Sequence, residues 1–205
     1  MLRSSRLSAT LVNPLFARST QGNLEGGLRF ELAPGLHAGA QLAYESGRQP
    51  NDADFLKNRN VSGINHGASY GVHLEWDHKF GPMPITLLAR ARQNTNADPG
   101  AQADLRLSAG VFQSGRLGLG VFTQSTWASA KSNSSFYGIA PQQSTATGLP
   151  VYGAGSGWLY SSIGLLGSFD LAPHWVIVGS AEARHLHGDA AGSPLTERKK
   201  LGPRV

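Results

Sequence analysis

The chain contains no cysteine, which removes both a disulfide framework and a cysteine-based zinc site. Secreted and periplasmic proteins also do without cysteine, so this absence leaves the compartment open. No window approaches the roughly 18 apolar residues of a membrane-crossing helix. Charged residues make up only 15 % of the 205 positions, below the ~25 % of an average soluble domain. The N-terminal stretch LSATLVNPLFA is interrupted by Asn13 and Pro14 and is too weak for the apolar core of a signal peptide, so none is expected from these residues.

A concentrated basic surface is also missing. The formal net charge is +5, yet Arg3, Arg6 and Arg18 fall in the first eighteen residues without an acid. Arg198, Lys199, Lys200 and Arg204 fall in the last nine beside Glu197 alone. What lies between is close to neutral, with its signs interleaved. Nucleic-acid binding needs a basic face in the folded body, and none is expected as a partner here.

What is present is glycine, 26 residues of it, and an apolar–polar alternation of period two, the signature of strands with two distinct faces. In 101–112, Ala101, Ala103, Leu105, Leu107, Ala109 and Val111 alternate with Gln102, Asp104, Arg106, Ser108, Gly110 and Phe112. The same split recurs over 24–32, 36–45, 66–80, 83–94, 116–127, 158–171 and 174–187. That predicts eight strands, with part of a ninth in 6–12. At about 9–14 residues each, they match the length needed to cross a bilayer at a tilt. The turns Ala33-Pro34-Gly35, Gly81-Pro82, Ser114-Gly115 and Ala172-Pro173 are tight, while 46–65, 95–100 and 128–157 are predicted loops. Short turns on one side and longer loops on the other are the layout of an outer-membrane barrel.

Alternation does not say which face is inside. A lipocalin-like soluble barrel keeps its apolar face inward, whereas a membrane barrel reverses this. Strand length, aromatics near strand ends on the apolar face (Tyr44, Phe80, Trp127, Phe169 and Trp175) and mid-strand charges of both signs favour the membrane form. The fold class expected is therefore all-β, an antiparallel up-and-down transmembrane β-barrel. Its expected lumen-lining residues are Glu75, Asp77, Arg90, Arg92, Asp104, Arg106, Arg116, Glu182 and Arg184. They could make a polar path or pocket, or a mutually neutralised closed interior. We favour the second, because paired charges fill a narrow barrel.

Three motifs suggest other chemistry. His185-Leu186-His187-Gly188-Asp189 has the HxHxD spacing of a metal motif, but both histidines continue the apolar face of Trp175 and Ile177. A place in an interfacial belt accounts for them better. A serine hydrolase needs serine, histidine and an orienting group within reach. A serine beside His73 can be imagined, with His37 as a further candidate, but no GxSxG elbow supports it. The glycines of 115–120 sit inside a strand with no helix following, which argues against a phosphate loop. No metal, cofactor or catalytic residue is expected.

SSFYGIAPQQSTATGLPVYGAG at 134–155, LAPHWVIVGSAEARHLHGDAAGSPLT at 171–196 and Tyr44-Glu45-Ser46-Gly47-Arg48 strongly resemble the MipA/OmpV family of Gram-negative outer-membrane proteins, the MltA-interacting proteins. The resemblance covers most of 22–196. It implies an outer-membrane barrel in contact with lipid, and a non-enzymatic scaffold role joining a murein transglycosylase to a peptidoglycan synthase. A small-solute channel or ligand pore is the alternative, and a lipid-modifying barrel enzyme the second. Where His185 and His187 stand, the family usually shows Arg and Leu, which further weakens the metal motif. Residues 1–21 and 188–205 depart from the family pattern, flanking a barrel domain at 22–187. The expectation is that ERKKLGPRV replaces a closing strand, as in a truncated or frame-shifted relative, leaving the barrel unclosed.

Overall fold

A computed structural model describes residues 8–12, 24–45, 61–95, 100–172 and 175–196. Residues 1–7, 13–23, 46–60, 96–99, 173–174 and 197–205 lie outside it. They include His174, most of the two predicted loops at 46–65 and 95–100, most of residues 1–21 and half of 188–205.

The described chain is one antiparallel sheet of nine strands in sequence order. They are β1 (Ser8–Val12), β2 (Leu24–Ala33), β3 (Leu36–Glu45), β4 (Gly67–Phe80), β5 (Met83–Asn94), β6 (Ala101–Ser114), β7 (Leu117–Ala128), β8 (Gly157–Ala172) and β9 (Trp175–Leu186). Each predicted strand is present within two residues of its expected ends, because the alternation that locates a strand ends where its turn begins. Every strand pairs with its sequence neighbour, and among the described residues no pairing joins β9 to β1. Among these residues the sheet is up-and-down and open.

Tight turns fix the register on one side. At Pro34-Gly35, Gly35 takes a φ of 76°, which side chains resist, and its carbonyl accepts the Asp77 N–H at 2.7 Å. Four register shifts interrupt the ladders, at Glu31/Ala33, Gly110/Phe112, Thr126/Trp127 and Asp170/Ala172. Between Gly110 and Phe112 the β6–β7 register shifts by one residue. Phe112, expected on the polar face from its even position, is thereby paired with Leu119 on the apolar face and is exposed. A one-residue bulge exchanges faces from that point on, which strict alternation cannot foresee.

The predicted loop at 128–157 contains two helices, α1 (Ala130–Tyr137) and α2 (Pro141–Thr147). Its polar composition hid them, since no apolar stripe marks either one. Local signals start and stop them. The Ser129 hydroxyl caps α1 by accepting the Ser132 N–H, Pro141 stands in the first turn of α2, and Gly148 ends α2 in the left-handed region at φ 67°. A short α3 (Gly188–Gly192) follows β9. α1 and α3 pack at the loop-side end of β7 and β8, around buried Ala128, Leu159, Tyr160 and Ala190.

Burial answers the question of faces. Asp104 is 4 % exposed, Thr126 0 % and Gln124 8 %, while Leu42 and Ile163 are each 67 % exposed and Trp175 71 %. The polar face is the sheltered one. For a face that no second sheet covers, such low exposure means that the sheet curls around it. Glycines permit the close packing this requires: a side chain on Gly39 would collide with the His73 ring, and one on Gly164 with the Phe122 ring. No described helix is long and apolar enough to cross a membrane.

Candidate functional site

The most sheltered polar cluster is built by register. Arg90, Asp104, Thr126 and Tyr160 stand directly opposite one another on β5, β6, β7 and β8, so period two aims all four at the polar face. Arg90 donates to Asp104 Oδ2 through Nε at 2.9 Å and through a terminal guanidinium nitrogen at 2.8 Å. The Thr126 hydroxyl donates to Oδ1 at 2.7 Å. Gln124 Nε2 lies 3.4 Å from the same oxygen and donates to the Tyr160 hydroxyl at 3.0 Å. Arg92 sits 3.9 Å from Asp104 Oδ2 and donates to Gln102 Oε1 at 2.7 Å. Gln102 in turn donates to Ser132 Oγ at 3.0 Å, which ties the wall to α1. A carboxylate this buried needs such complete pairing, because desolvation is otherwise costly.

A second cluster lies toward the turns. Glu75 and Asp77 on β4 share the Arg29 guanidinium of β2, which also contacts His37 Nδ1 at 3.0 Å and reaches Asp77 Oδ2 at 2.8 Å. Thr86 donates to Asp77 Oδ1 at 2.6 Å. His37, Glu75 and Asp77 bring potential ligand atoms within 4.8 Å of one another. Their shared neighbour is a protein cation bonded to all three, so the donors are already engaged and the cluster reads as an ion-pair network.

The expected lumen residues therefore fall into distinct groups. Arg90, Arg92 and Asp104 come together, as do Glu75 and Asp77, and Glu182 accepts from Arg184 at 2.9 Å. Arg106 lies with its guanidinium carbon 3.8 Å from the centre of the Phe122 ring, and Arg184 at 4.8 Å from that of Tyr160. Arg116 stands in the β6–β7 turn, exposed, where its carbonyl accepts the Asp170 N–H. Glu182 and Arg184 are exposed on the polar side of β9, an edge strand among the described residues. Arg90 with Asp104 and Arg29 with Glu75 pair between nearby strands along the wall, whereas Glu182 and Arg184 pair within β9. Sequence reasoning left Arg29, His37, Thr126 and Tyr160 out of the site. All four occupy polar-face positions, but only cross-strand register reveals which of many such positions meet.

The HxHxD motif divides at the end of β9. His185 is on the apolar face opposite Ser161, its ring centroid 5.0 Å from that of His187, while Asp189 Oδ2 accepts the Gly155 N–H at 2.6 Å. The three side chains do not converge. A histidine–serine contact does exist, between His187 Nε2 and Ser161 Oγ at 2.9 Å, away from His73. The acid that a catalytic triad would place against the imidazole is instead held by that backbone N–H.

A family model described as MltA-interacting protein MipA matches residues 4–202. The chain belongs to the MipA family. The match takes in most of residues 1–21 and 188–205 as well as all of 22–187. No curated protein sequence and no solved structure matches the chain. MipA-family membership and the inside-out distribution of side chains agree with each other, since the sheet shelters ion pairs and exposes leucine, isoleucine and tryptophan.

Proposed function

We propose that this MipA-family chain is an outer-membrane β-barrel that serves, without catalysis of its own, as a docking scaffold for a murein transglycosylase and a peptidoglycan synthase. The observation that carries the membrane reading is the exposed apolar face. Soluble monomers rarely present contiguous apolar patches beyond a few hundred Å², whereas here that face runs from β2 to β9. Its aromatics form two belts. Tyr44, Tyr70, Trp127 and Trp158 stand toward the loops, and Trp76, Phe80, Phe169 and Trp175 toward the turns. From Trp158 to Phe169 is roughly 37 Å along the strand and about 28 Å along the bilayer normal at a ~40° tilt, close to the ≈ 25 Å apolar band of such barrels.

The scaffold role rests on the family's description and on short turns that place rigid strand ends on one side. The test is co-sedimentation of the full chain, inserted in lipid, with a purified murein transglycosylase and with a peptidoglycan synthase. Retention of the transglycosylase supports the role, and absence of any retention rejects it.

A second reading, a small-solute path, is favoured by the ion pairs closing along the wall, with Arg90, Arg92 and Arg106 gathered near the single Asp104. Planar-bilayer recordings would then show anion-selective conductance, and conductance at background level would reject it.

A further inference from the structure

Where β7 and β8 meet the helical cap, a cavity of about 500 Å³ opens at the loop-side rim, within the size range of small-molecule sites. Its walls come from three separate pieces of chain. Ser125 and Ser161 stand opposite each other on β7 and β8 with their hydroxyl oxygens 3.4 Å apart. His187 reaches Ser161 from the end of β9. Asn133 on α1, Asp189 on α3 and the exposed Trp158 indole complete the wall.

Asn133 braces the cavity wall. Asn133 is 3 % exposed, and its Nδ2 donates to the Gly155 carbonyl at 2.7 Å, which fixes the orientation of the amide. Its Oδ1 is fully buried and has no hydrogen-bond partner among the described residues. An acceptor so enclosed is out of reach of a molecule in the cavity, and the groups left to meet a ligand are those of the open wall.

The chemistry of the open wall says what fits it. The serine hydroxyls and the imidazole each both donate and accept, and the indole offers a flat apolar surface. Among the described residues no lysine or arginine lines the cavity and the charged group is the Asp189 carboxylate, which would repel a phosphate. An uncharged ring bearing several hydroxyls suits this wall: its O–H groups exchange hydrogen bonds with Ser125, Ser161 and His187, while its C–H face lies on Trp158. Ser125, Trp158 and Ser161 are on the apolar face of the sheet. On the barrel reading above, this puts the cavity at the depth of lipid headgroups.

We propose that this rim cavity binds the uncharged, hydroxyl-rich sugar ring of a glycolipid headgroup or of a free glycan. The test uses the full chain in two arms. In the first, the chain is inserted into phosphatidylcholine nanodiscs containing a monoglucosyl diacylglycerol. In the second, methyl glucoside is titrated onto the chain in detergent micelles, and this arm does not require bilayer insertion. Saturation transfer from protein to sugar protons reports binding in both. Ser161→Ala is expected to weaken binding about three- to tenfold, the loss of one hydrogen bond, and Trp158→Leu to weaken it at least as much. A response in the nanodisc arm alone assigns the site to lipid headgroups, and a response in both assigns it to the ring itself. Absence of transfer in both arms, equal affinity in both variants, or tighter binding of inorganic phosphate would overturn the proposal. Heat-modifiable gel mobility measured before sugar is added reports insertion separately, so a failed barrel and a failed sugar site are distinguishable.

Discussion

Arg90 grips Asp104 twice, through Nε at 2.9 Å and a terminal nitrogen at 2.8 Å, across the β5–β6 pair. The carboxylate side chain is 1 % exposed and the guanidinium 18 %, so the pair has little water to fall back on. Cutting such a pair on one side leaves a buried charge uncompensated, which typically costs about 3–5 kcal/mol. Asp104→Ala is expected to lower stability by that order in urea unfolding from lipid vesicles. Replacing both partners by apolar residues of similar volume should recover most of the loss, and a double-mutant cycle with Arg90→Met and Asp104→Leu measures it. An additive cycle would mean that the two residues do not act as a pair.

Orientation of the sheet can be tested by depth. Ile163 lies midway between the aromatics of β8 and is among the most exposed residues of the apolar face. Ile163→Arg is expected to cost about 2–4 kcal/mol of stability in a bilayer, and Trp175→Arg at the turn-side end only about 0–1 kcal/mol beyond its lost packing. If the two arginines cost the same in lipid, the apolar face does not span an apolar slab.

The helical cap depends on one serine. Ser129 Oγ accepts the Ser132 N–H at 3.3 Å and the Ala101 N–H at 3.0 Å, so it begins α1 and pins that helix to β6. Ser129→Ala should destabilise the cap by about 0.5–2 kcal/mol. Hydrogen exchange would show faster opening at 130–137 while the amides of β6 and β7 keep their protection. Uniform loss of protection would show that the cap and the sheet unfold together.

High pH should loosen the same region. The Tyr152 hydroxyl donates to the Asp189 carbonyl at 2.8 Å. Desolvation, then the nearby Asp189 carboxylate, raise its pKa above the ordinary tyrosine value of 10.0. A folded-state pKa above the unfolded one means that the contribution is fully present below the ordinary tyrosine range and is lost as pH rises through the folded value. Tyrosinate absorbance should assign the late-titrating phenol to Tyr152 by its disappearance in Tyr152→Phe, whose stability should then vary less over that alkaline window. An unchanged absorbance titration would refute the assignment.

Much of this architecture is written in the alternation itself. Leu117, Leu119 and Val121 against Gly118 and Gly120, or Tyr70, Val72 and Leu74 against His73 and Glu75, specify strands and sort side chains between faces before any fold is known. The tight turns follow from Pro34-Gly35 and Gly81-Pro82. α1 and α2 were not legible, because a short polar helix held by a cap and by its neighbours leaves no periodic trace. Phe112 was misplaced because a bulge carries no fixed residue signature. The Arg29 cluster was missed for a different reason: Arg29 and Glu75 are brought together from strands two apart, and single-strand patterning has no term for that distance.

The amino-acid sequence alone determined that there would be long two-faced strands joined by tight turns, because period two is a property of each segment and needs no partner. Only the tertiary structure decided that the ionic face is the sheltered one and which charges meet on it. Those outcomes depend on how strands align with and curl about one another, and register and curvature belong to the assembled sheet.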